Sequence, residues 1–292
     1  MLMEDPHIHW GMTDEQLATE PLVYRADLFR GQVVLVSGGG GGFGRAMAYV
    51  LTRLGADVAI CGRRAERLER TAAGIRTRLG REVLCLPMTI RDPEQVAASI
   101  AAVIGKFGRL DLLVNNAGGQ FPQPAIDYSV KGWNSVIDTN LNGTWHMMQH
   151  AARHWREHNS PGTIVNIVAG VERGMPQIAH SCAARAGVIY LSKSVAVEWA
   201  PLGIRVNCLA AGAIASDGLD SYEPAVAEDF RVSNPMLRLG DVLDIAQGVV
   251  YLAAASGRYI TGEVLHIDGG RQMWGDDWPG GIPEHFRRDR GP

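Results

Sequence analysis

Residues 32–44, QVVLVSGGGGGFG, join an apolar run of strand length to five consecutive glycines. The residues that follow, 43–55, repeat their apolar side chains with a helical period. A glycine turn between a strand and a helix points backbone amides and the positive end of the helix at one place, where a diphosphate can bind. This stretch therefore predicts the first strand, turn and helix of a dinucleotide-binding fold.

The same alternation of apolar runs and helical segments continues along the chain. Strands that alternate with helices form parallel sheets with crossover connections. We therefore expect an α/β fold, a single domain with one doubly wound, Rossmann-type sheet of about seven parallel strands and helices on both faces. The six further strands are expected at 57–62, 82–87, 110–116, 163–168, 204–210 and 262–268.

Domain boundaries follow from changes in composition. The dinucleotide-binding and catalytic domain is predicted to span residues 31–270, after an N-terminal extension of residues 1–30. Residues 271–292 form a C-terminal tail rich in Trp, Pro and Gly, without helical or strand period. An arm over a neighbouring subunit or the active site and a disordered segment are equal alternatives for this tail.

Two local features of the helices can also be predicted. One long helical stretch is expected over residues 133–157. Gly80 and Gly105 stand where the helices before them are expected to end, because glycine readily adopts the left-handed conformation of a helix C-terminus.

Charge and composition argue against several classes of partner. The net charge is −3, and both signs are scattered along a chain that is 46% hydrophobic. This balance offers neither a basic stripe for nucleic acid nor a polybasic patch for a membrane surface. The N-terminus lacks a basic start followed by an apolar run, and no stretch approaches about 18 uninterrupted apolar residues. We expect a cytoplasmic protein that acts on a small molecule.

The glycine run fits two nucleotide-binding patterns. Gly39, Gly41 and Gly44 satisfy G-x-G-x-x-G, whereas Gly38, Gly42 and Gly44 satisfy G-x-x-x-G-x-G. The sequence alone leaves both patterns open.

The end of the second predicted strand indicates which dinucleotide binds. An NAD site has an acidic residue about twenty residues after the glycines, for the ribose hydroxyls. Here residues 61–68 read CGRRAERL, without an acid at that point. The guanidinium groups of Arg63 and Arg64 can pair with a 2′-phosphate, which favours NADPH/NADP.

Over residues 31–270 the chain resembles the short-chain dehydrogenase/reductase family. Besides the glycine run, the resemblance rests on NNAG (115–118), Asn140 within DTNLNGT, GIRVN (203–207) and ITGEVLHIDGG (260–270). It implies a nicotinamide cofactor and a homotetramer or homodimer. The cofactor contacts that it implies, besides Arg63 and Arg64, are Ser37, Gly38, Gly42, Phe43, Gly44, Asn116, Ala117, Gly118, Arg185, Gly212 and Ile214.

The chain departs from this family at the residues that transfer protons. The family uses a serine after the fifth strand and Tyr-x-x-x-Lys on the next helix, assisted by an asparagine that matches Asn140. Here the serine position falls on Val168 or Ala169, Ser181 takes the tyrosine position and Arg185 takes the lysine position. Arginine does not deprotonate near neutral pH and serine has no nearby base, so the usual ketone reduction is not expected.

A narrower resemblance offers a different activity. LVNNAGGQF (113–121), SVKGWNSVIDTNLNGTW (129–145) and HSCAARAGV (180–188) resemble the 2-enoyl-CoA and 2,4-dienoyl-CoA reductase branch, in particular its peroxisomal trans-2-enoyl-CoA reductase type. The leading prediction is therefore an enzyme that reduces the C2=C3 bond of an enoyl thioester with NADPH. Two alternatives remain, an NADP(H)-dependent ketone or alcohol oxidoreductase and a cofactor-binding homologue without turnover.

Conjugate reduction needs groups that stabilise negative charge on the thioester oxygen. Ser181 and Arg185, four residues apart on a predicted helix, face the same way. We expect Ser181 and Asn140 to donate towards that oxygen, and Arg185 to hold the nicotinamide ribose and supply positive charge. The proton for C2 can come from water, His180 or Tyr190.

Histidine also recurs every fourth residue along one predicted helix. Neighbouring histidines at this spacing can share a metal ion, but no further ligand of a known metal pattern accompanies them. We assign no metal, and expect an exposed helix face or a subunit interface at His146, His150, His154 and His158.

Overall fold

The computed structural model describes residues 10–219 and 230–273. Seven parallel strands form the main sheet, in the order β3-β2-β1-β4-β5-β6-β9, and β7 pairs with β8 beside it. The predicted α/β fold is confirmed, and each of the seven predicted strands lies within two residues of its observed bounds. The strands are β1 Val33–Ser37, β2 Asp57–Gly62, β3 Val83–Pro87, β4 Leu112–Asn115, β5 Gly162–Ala169, β6 Ile204–Ala211, β7 Ile214–Ala215, β8 Gly240–Asp241 and β9 Val264–Ile267.

Helices cover both faces of the sheet, because the buried strands are apolar on both sides. In β1, Val34 and Val36 face one layer of helices, whereas Val33 and Leu35 face the other, as the two-residue period of a strand requires. The first layer contains α1, α2, α3 and α8, and the second contains α4, α6 and α7. The helices are α1 Asp14–Thr19, α2 Gly42–Arg53, α3 Ala65–Leu79, α4 Pro93–Phe107, α5 Val130–Ile137, α6 Gly143–Glu157, α7 Ala179–Trp199 and α8 Val242–Ala253.

The order of the strands determines where a ligand can bind. The chain runs outward from β1 to β3 on one side, then returns to place β4 against the other edge of β1. In doubly wound sheets, ligands bind in the crevice beyond the carboxyl ends of the strands at such a reversal. The glycine run follows β1 and NNAG follows β4, so both border this crevice.

Two predictions about the helices need correction. The stretch expected to be one helix over 133–157 is two α-helices, α5 and α6, joined by a π-helical segment at Asp138–Asn142. A periodic pattern does not reveal the extra residue of a π turn, and such turns are frequent at functional sites. Gly105 does not end α4, which continues to Phe107 and ends at Gly108 with φ +79°. Gly80 does end α3, with φ +64°.

The segment before β1 packs against the rest of the domain where it is described. Leu17 on α1 is buried in the core. Arg45 on α2 bonds to Asp14 and to the carbonyl oxygen of Met12, and Arg53 bonds to the carbonyl oxygens of Leu17 and Glu20. The boundaries 1–30, 31–270 and 271–292 remain predictions, and most of the predicted tail lies outside the described residues.

None of the helices in the described ranges is both long enough and apolar enough to cross a membrane.

Candidate active site

A cavity of about 490 Å³ opens at the reversal point between β1 and β4. Its walls come from loops at the carboxyl ends of the strands, as expected for a dinucleotide site. Its lining includes the glycine loop, the end of β2, residues 88–90 before α4, residues 116–118, Thr139 and residues 216–218.

The glycine loop adopts the backbone that the second pattern requires. Gly38 and Gly42 have φ angles of +70° and +47°, a region that favours glycine, whereas Gly41 is extended at φ 176°. A Cβ on Gly44 would overlap the carbonyl oxygen of Gly38 and would lie 2.8 Å from Nδ2 of Asn116. Gly44 belongs to both patterns, so it is the positive φ angles of Gly38 and Gly42 that favour the pattern formed by Gly38, Gly42 and Gly44.

Gly44→Ala is expected to weaken dinucleotide binding about tenfold to a hundredfold, because relieving such an overlap costs about 1–3 kcal/mol and about 1.4 kcal/mol is tenfold in affinity. Titration calorimetry with NADPH measures this loss. Gly105→Ala is the matched control, since Gly105 lies inside α4 and outside the cavity lining, and nothing lies within 4 Å of its Cβ position. An unchanged Kd for Gly44→Ala would contradict the packing role of this glycine.

Ser37 and Asn116 join the ends of β1 and β4. The buried Ser37 Oγ accepts the amide hydrogens of Asn116 and Ala117, each at 3.0 Å. Asn116 Nδ2 in turn donates to the carbonyl oxygens of Ser37 and Gly38, at 3.0 and 3.3 Å. Both side chains are used to hold the glycine loop in place, while Phe43, Ala117 and Gly118 line the cavity itself.

Three arginines line the cavity beyond the end of β2. Arg63 and Arg64 were expected there, and Arg67 joins them from the first turn of α3. Arg63 and Arg64 precede α3, which begins at Ala65, and Arg67 lies in its first turn; reading only the end of the strand missed Arg67. Among the described residues, none of these three guanidinium groups forms an ion pair or a side-chain hydrogen bond.

The predicted contacts Gly212 and Ile214 support the site without lining the cavity. A Cβ on Gly212 would overlap Cα of Asp268, so this glycine allows the close approach of the segment after β9. Ile214 is buried in the core and pairs with Gly240. Ser216 and Asp217, a few residues later, line the cavity instead.

The structure brings Asn140 and Ser181 together. Asn140 is buried in the π-helical segment; its Oδ1 accepts from the amide of Gly119 and its Nδ2 donates to the carbonyl of Gly119, both at 2.9 Å. Nδ2 also lies 3.4 Å from Oγ of Ser181, which is 2% exposed. Within the described ranges, the Ser181 hydroxyl has no acceptor for its own hydrogen, and neither Ser181 nor Asn140 is among the residues that line the cofactor cavity.

Arg185 lies one turn further along α7, and its guanidinium lies against Gly118, which lines the cofactor cavity. Its Nη1 donates to the carbonyl of Ile167 at 2.5 Å, and its Nη2 lies 2.5 Å from where a Cβ on Gly118 would be. Burial lowers the pKa of Arg185 to about 10, which leaves it charged at neutral pH. No described carboxylate pairs with it, and a buried cation without a partner indicates a site for an anionic or negatively polarised ligand.

His180 joins the two motifs that distinguish this chain. Its buried ring stacks on Tyr128 with centroids 4.4 Å apart and meets the edge of Phe121 at 4.6 Å. Its Nδ1 accepts the amide hydrogen of Ser181 at 2.8 Å. Burial lowers the pKa of His180 from its ordinary value, which favours the neutral ring. The GGQF loop is thereby fixed against the start of α7.

Tyr190 does not reach this site. It lies nine residues after Ser181, about half a turn out of phase on α7, and it is 71% exposed.

The sequence-based predictions also missed a row of buried, hydrogen-bonded polar side chains next to the site. Asn115 Nδ2 donates to Oδ1 of Asn166 at 2.8 Å, and Asn166 Nδ2 donates to Oγ of Ser192 at 2.9 Å. These bonds connect β4, β5 and α7. The asparagines inside otherwise apolar strands could have predicted these bonds, because a buried side-chain amide needs hydrogen-bond partners.

The histidine row on α6 forms separate contacts. His146 Nδ1 lies 3.2 Å from the carbonyl oxygen of Ile90, and the rings of His154 and His158 are 4.2 Å apart. The part of the chain that the structure describes contains no group of three or more side chains placed to hold a metal ion.

Comparison with known proteins identifies the family. A family model described as enoyl-(acyl carrier protein) reductase matches residues 38–272. The chain belongs to the short-chain dehydrogenase/reductase family. A probable 2,4-dienoyl-CoA reductase of Bacillus subtilis is 38% identical over 254 residues, which cover 85% of this chain and 98% of that protein. A peroxisomal 2,4-dienoyl-CoA reductase of Danio rerio is 35% identical, with coverage of 88% and 87%.

A solved structure of the same family supports this assignment. The citronellol catabolism dehydrogenase of Pseudomonas aeruginosa PAO1 matches with a TM-score of 0.77 and 36% identity, over 86% of this chain and 98% of that protein. The predicted family resemblance is therefore confirmed. The relatives are oxidoreductases by name, and they support a reductase role for this member of the family.

Proposed function

We propose that this protein is an NADPH-dependent reductase that adds hydride to the conjugated double bonds of an unsaturated acyl thioester, a 2-enoyl-CoA or 2,4-dienoyl-CoA. The observation that carries the proposal is the guanidinium of Arg185, which pairs with no described carboxylate, on the same helix as the Ser181 hydroxyl, whose hydrogen has no acceptor among the described residues. These groups replace the family's lysine and tyrosine with a fixed cation and a neutral donor, which suit charge stabilisation better than proton transfer. The names of the two sequence relatives support the same substrate class.

The described residues fit a dinucleotide phosphate. The amide of Gly42, at the start of α2, already donates to a carboxylate oxygen of Asp217 at 3.3 Å, so this position binds an anionic oxygen. Arg63, Arg64 and Arg67, which form no ion pair with any described residue, suit the 2′-phosphate of NADPH. When bound, the reduced nicotinamide supplies the hydride.

Ser181 and Arg185 act on the charge that develops in the substrate. A new C–H bond forms at the far end of the conjugated system, at C3 of an enoyl or C5 of a dienoyl thioester, and the displaced electron pair moves onto the thioester oxygen. The Ser181 hydroxyl donates to this oxygen, and Arg185 lowers its energy through its charge. Protonation at C2 then gives a saturated acyl thioester from an enoyl substrate, or a 3-enoyl thioester from a dienoyl substrate.

Asn140 has a positioning role in this scheme. Its two amide hydrogens are directed at Gly119 and Ser181, so it holds the loop after β4 against α7 and presents the Ser181 oxygen. This differs from the donation to substrate that the sequence suggested. Water is the proposed source of the C2 proton, since Tyr190 faces away and the His180 ring is fully buried.

Turnover with a panel of substrates tests the proposal. Purified protein is mixed with NADPH and trans-2-enoyl-CoA or 2,4-dienoyl-CoA thioesters, and with ketones as the competing panel; alcohols with NADP form the reverse panel. Consumption of NADPH with the unsaturated thioesters alone is the expected result. Turnover of ketones or alcohols alone favours the usual family chemistry, and tight NADPH binding without any turnover favours a homologue without catalysis.

Arg63→Glu is expected to weaken NADPH binding about tenfold to a hundredfold, with little loss for NADH, because the 2′-phosphate then meets a carboxylate instead of a guanidinium. The ratio of the two Kd values measures this change. Arg70→Glu, on the same helix but outside the cavity lining, is the control for net charge. Unchanged preference in Arg63→Glu would refute the assignment of the 2′-phosphate.

A homotetramer or homodimer and a cytoplasmic location complete the proposal, together with a carrier that is CoA or an acyl-carrier protein. Sedimentation analysis of the purified protein tests its assembly, and parallel assays with CoA and carrier-protein thioesters test the carrier.

A further inference from the structure

Asp217 places a carboxylate over the glycine loop. It follows β7 and is exposed, and its Oδ2 accepts the amide hydrogen of Gly42, the first residue of α2, at 3.3 Å. The same oxygen lies 3.0 Å from where a Cβ on Gly41 would be. On its other side, Oδ1 lies 3.4 Å from the corresponding position on Gly11, in the segment before α1. The carboxylate therefore sits between the N-terminal segment and the loop.

The Asp217 carboxylate occupies a place where the glycine loop can bind an anionic ligand. The amides at the start of α2 and the positive end of its dipole attract an anionic group. Arg67 adds positive charge, with Nη1 3.9 Å from the same Cβ position on Gly41. A diphosphate and the Asp217 carboxylate carry the same sign of charge, so both cannot occupy the amide of Gly42 at once.

We propose that Asp217 is an internal competitor for the diphosphate of the dinucleotide, and that binding of the diphosphate displaces it from Gly42. This inference rests on the proposed binding of a dinucleotide in this cavity. Displacement moves the Asp217 side chain, on a segment that lines the cavity, away from the glycine loop. Cofactor binding and the placement of this segment are then coupled, and the resting contact lowers cofactor affinity.

Binding measurements on variants of Asp217 test the proposal. The Kd values of ADP, NADPH and 2′-AMP are measured by calorimetry for the parent protein, Asp217→Asn and Asp217→Ala. We expect Asp217→Ala to tighten ADP and NADPH by about tenfold, the effect of removing one charge-assisted hydrogen bond. Asp217→Asn retains an oxygen that can accept from Gly42, so its gain is expected to be smaller. The affinity for 2′-AMP, which has no diphosphate, stays the same.

Asp138→Asn is the matched control for charge. Asp138 precedes Thr139, which lines the same cavity, and its carboxylate accepts from Asn142. This variant is expected to bind ADP as the parent does. Equal or weaker ADP binding in Asp217→Ala overturns the proposal, and so does an equal gain for 2′-AMP, which would indicate a general effect of charge.

The test of Asp217 and the test of the proposed NADPH preference can fail independently. Failure of 2′-AMP to bind would contradict the assignment of the 2′-phosphate, while the ADP series would still decide whether Asp217 competes for the loop.

Discussion

Replacing Arg185 with alanine is expected to lower kcat for an unsaturated acyl thioester by about 10²–10³-fold, with a change of less than about tenfold in the Kd of NADPH. The guanidinium is buried, has no described carboxylate partner and lies against Gly118 at the edge of the cofactor cavity. Its charge therefore acts most strongly when the thioester oxygen becomes negative. Single-turnover kinetics with saturating NADPH measure this step.

Arg185 also donates to the carbonyl of Ile167, so its loss can affect folding as well as catalysis. Arg205→Ala is the matched control, because Arg205 donates to the carbonyls of Leu252 and Gly257 at the opposite end of the sheet. We expect this control to lower the thermal midpoint and leave kcat of the folded enzyme intact. Arg185→Lys keeps the positive charge but lacks the planar guanidinium group, and it is expected to retain part of the kcat that Arg185→Ala loses. A folded Arg185→Ala variant with full kcat would place charge stabilisation elsewhere.

Ser181→Ala is expected to lower kcat by about 10²-fold, within the range for removal of one preorganised donor to a developing oxyanion. The Ser181 hydroxyl is buried, and its own hydrogen has no acceptor in the described structure, so it is available when the substrate oxygen arrives. The KM for the thioester is expected to change little, because the donor binds the transition state more strongly than the substrate.

Ser192→Ala provides the comparison on the same helix. Ser192 lies eleven residues after Ser181, close to the same face of α7, and its hydroxyl donates to the carbonyl of Val188. Its removal is expected to reduce stability through the Asn166 network while sparing kcat. If Ser181→Ala retains full activity, the hydroxyl is not the donor.

The sequence predicted those parts of the site that depend only on the local conformation of the backbone. The run of five glycines needed only a strand and a helix on either side to be interpreted as a phosphate loop, although the choice between its two glycine patterns needed the backbone angles of the structure. Ser181 and Arg185 share a helix face whatever surrounds the helix.

Other features depend on contacts between distant parts of the chain. The π turn at Asn140 keeps the periodicity of a helix, so the pattern at 133–157 concealed how its amide is aimed at Gly119. The stacking of His180 on Tyr128 joins two residues about fifty positions apart in the sequence. The contact of Asp217 with Gly42 spans even more of the chain. No local rule predicts such pairings.

Isotopic labelling of the reduced product tests the central claim, conjugate hydride addition, most directly. The protein is incubated in ordinary water with NADPH deuterated at C4 of the nicotinamide and with a 2-enoyl-CoA or 2,4-dienoyl-CoA, and the product is examined by NMR. The account predicts deuterium at C3 of the saturated thioester formed from the enoyl substrate, or at C5 of the 3-enoyl thioester formed from the dienoyl substrate, and a solvent hydrogen at C2 of either product. A parallel incubation contains a ketone in place of the thioester. Deuterium in the alcohol formed from the ketone, with none in either thioester product, would contradict conjugate hydride addition.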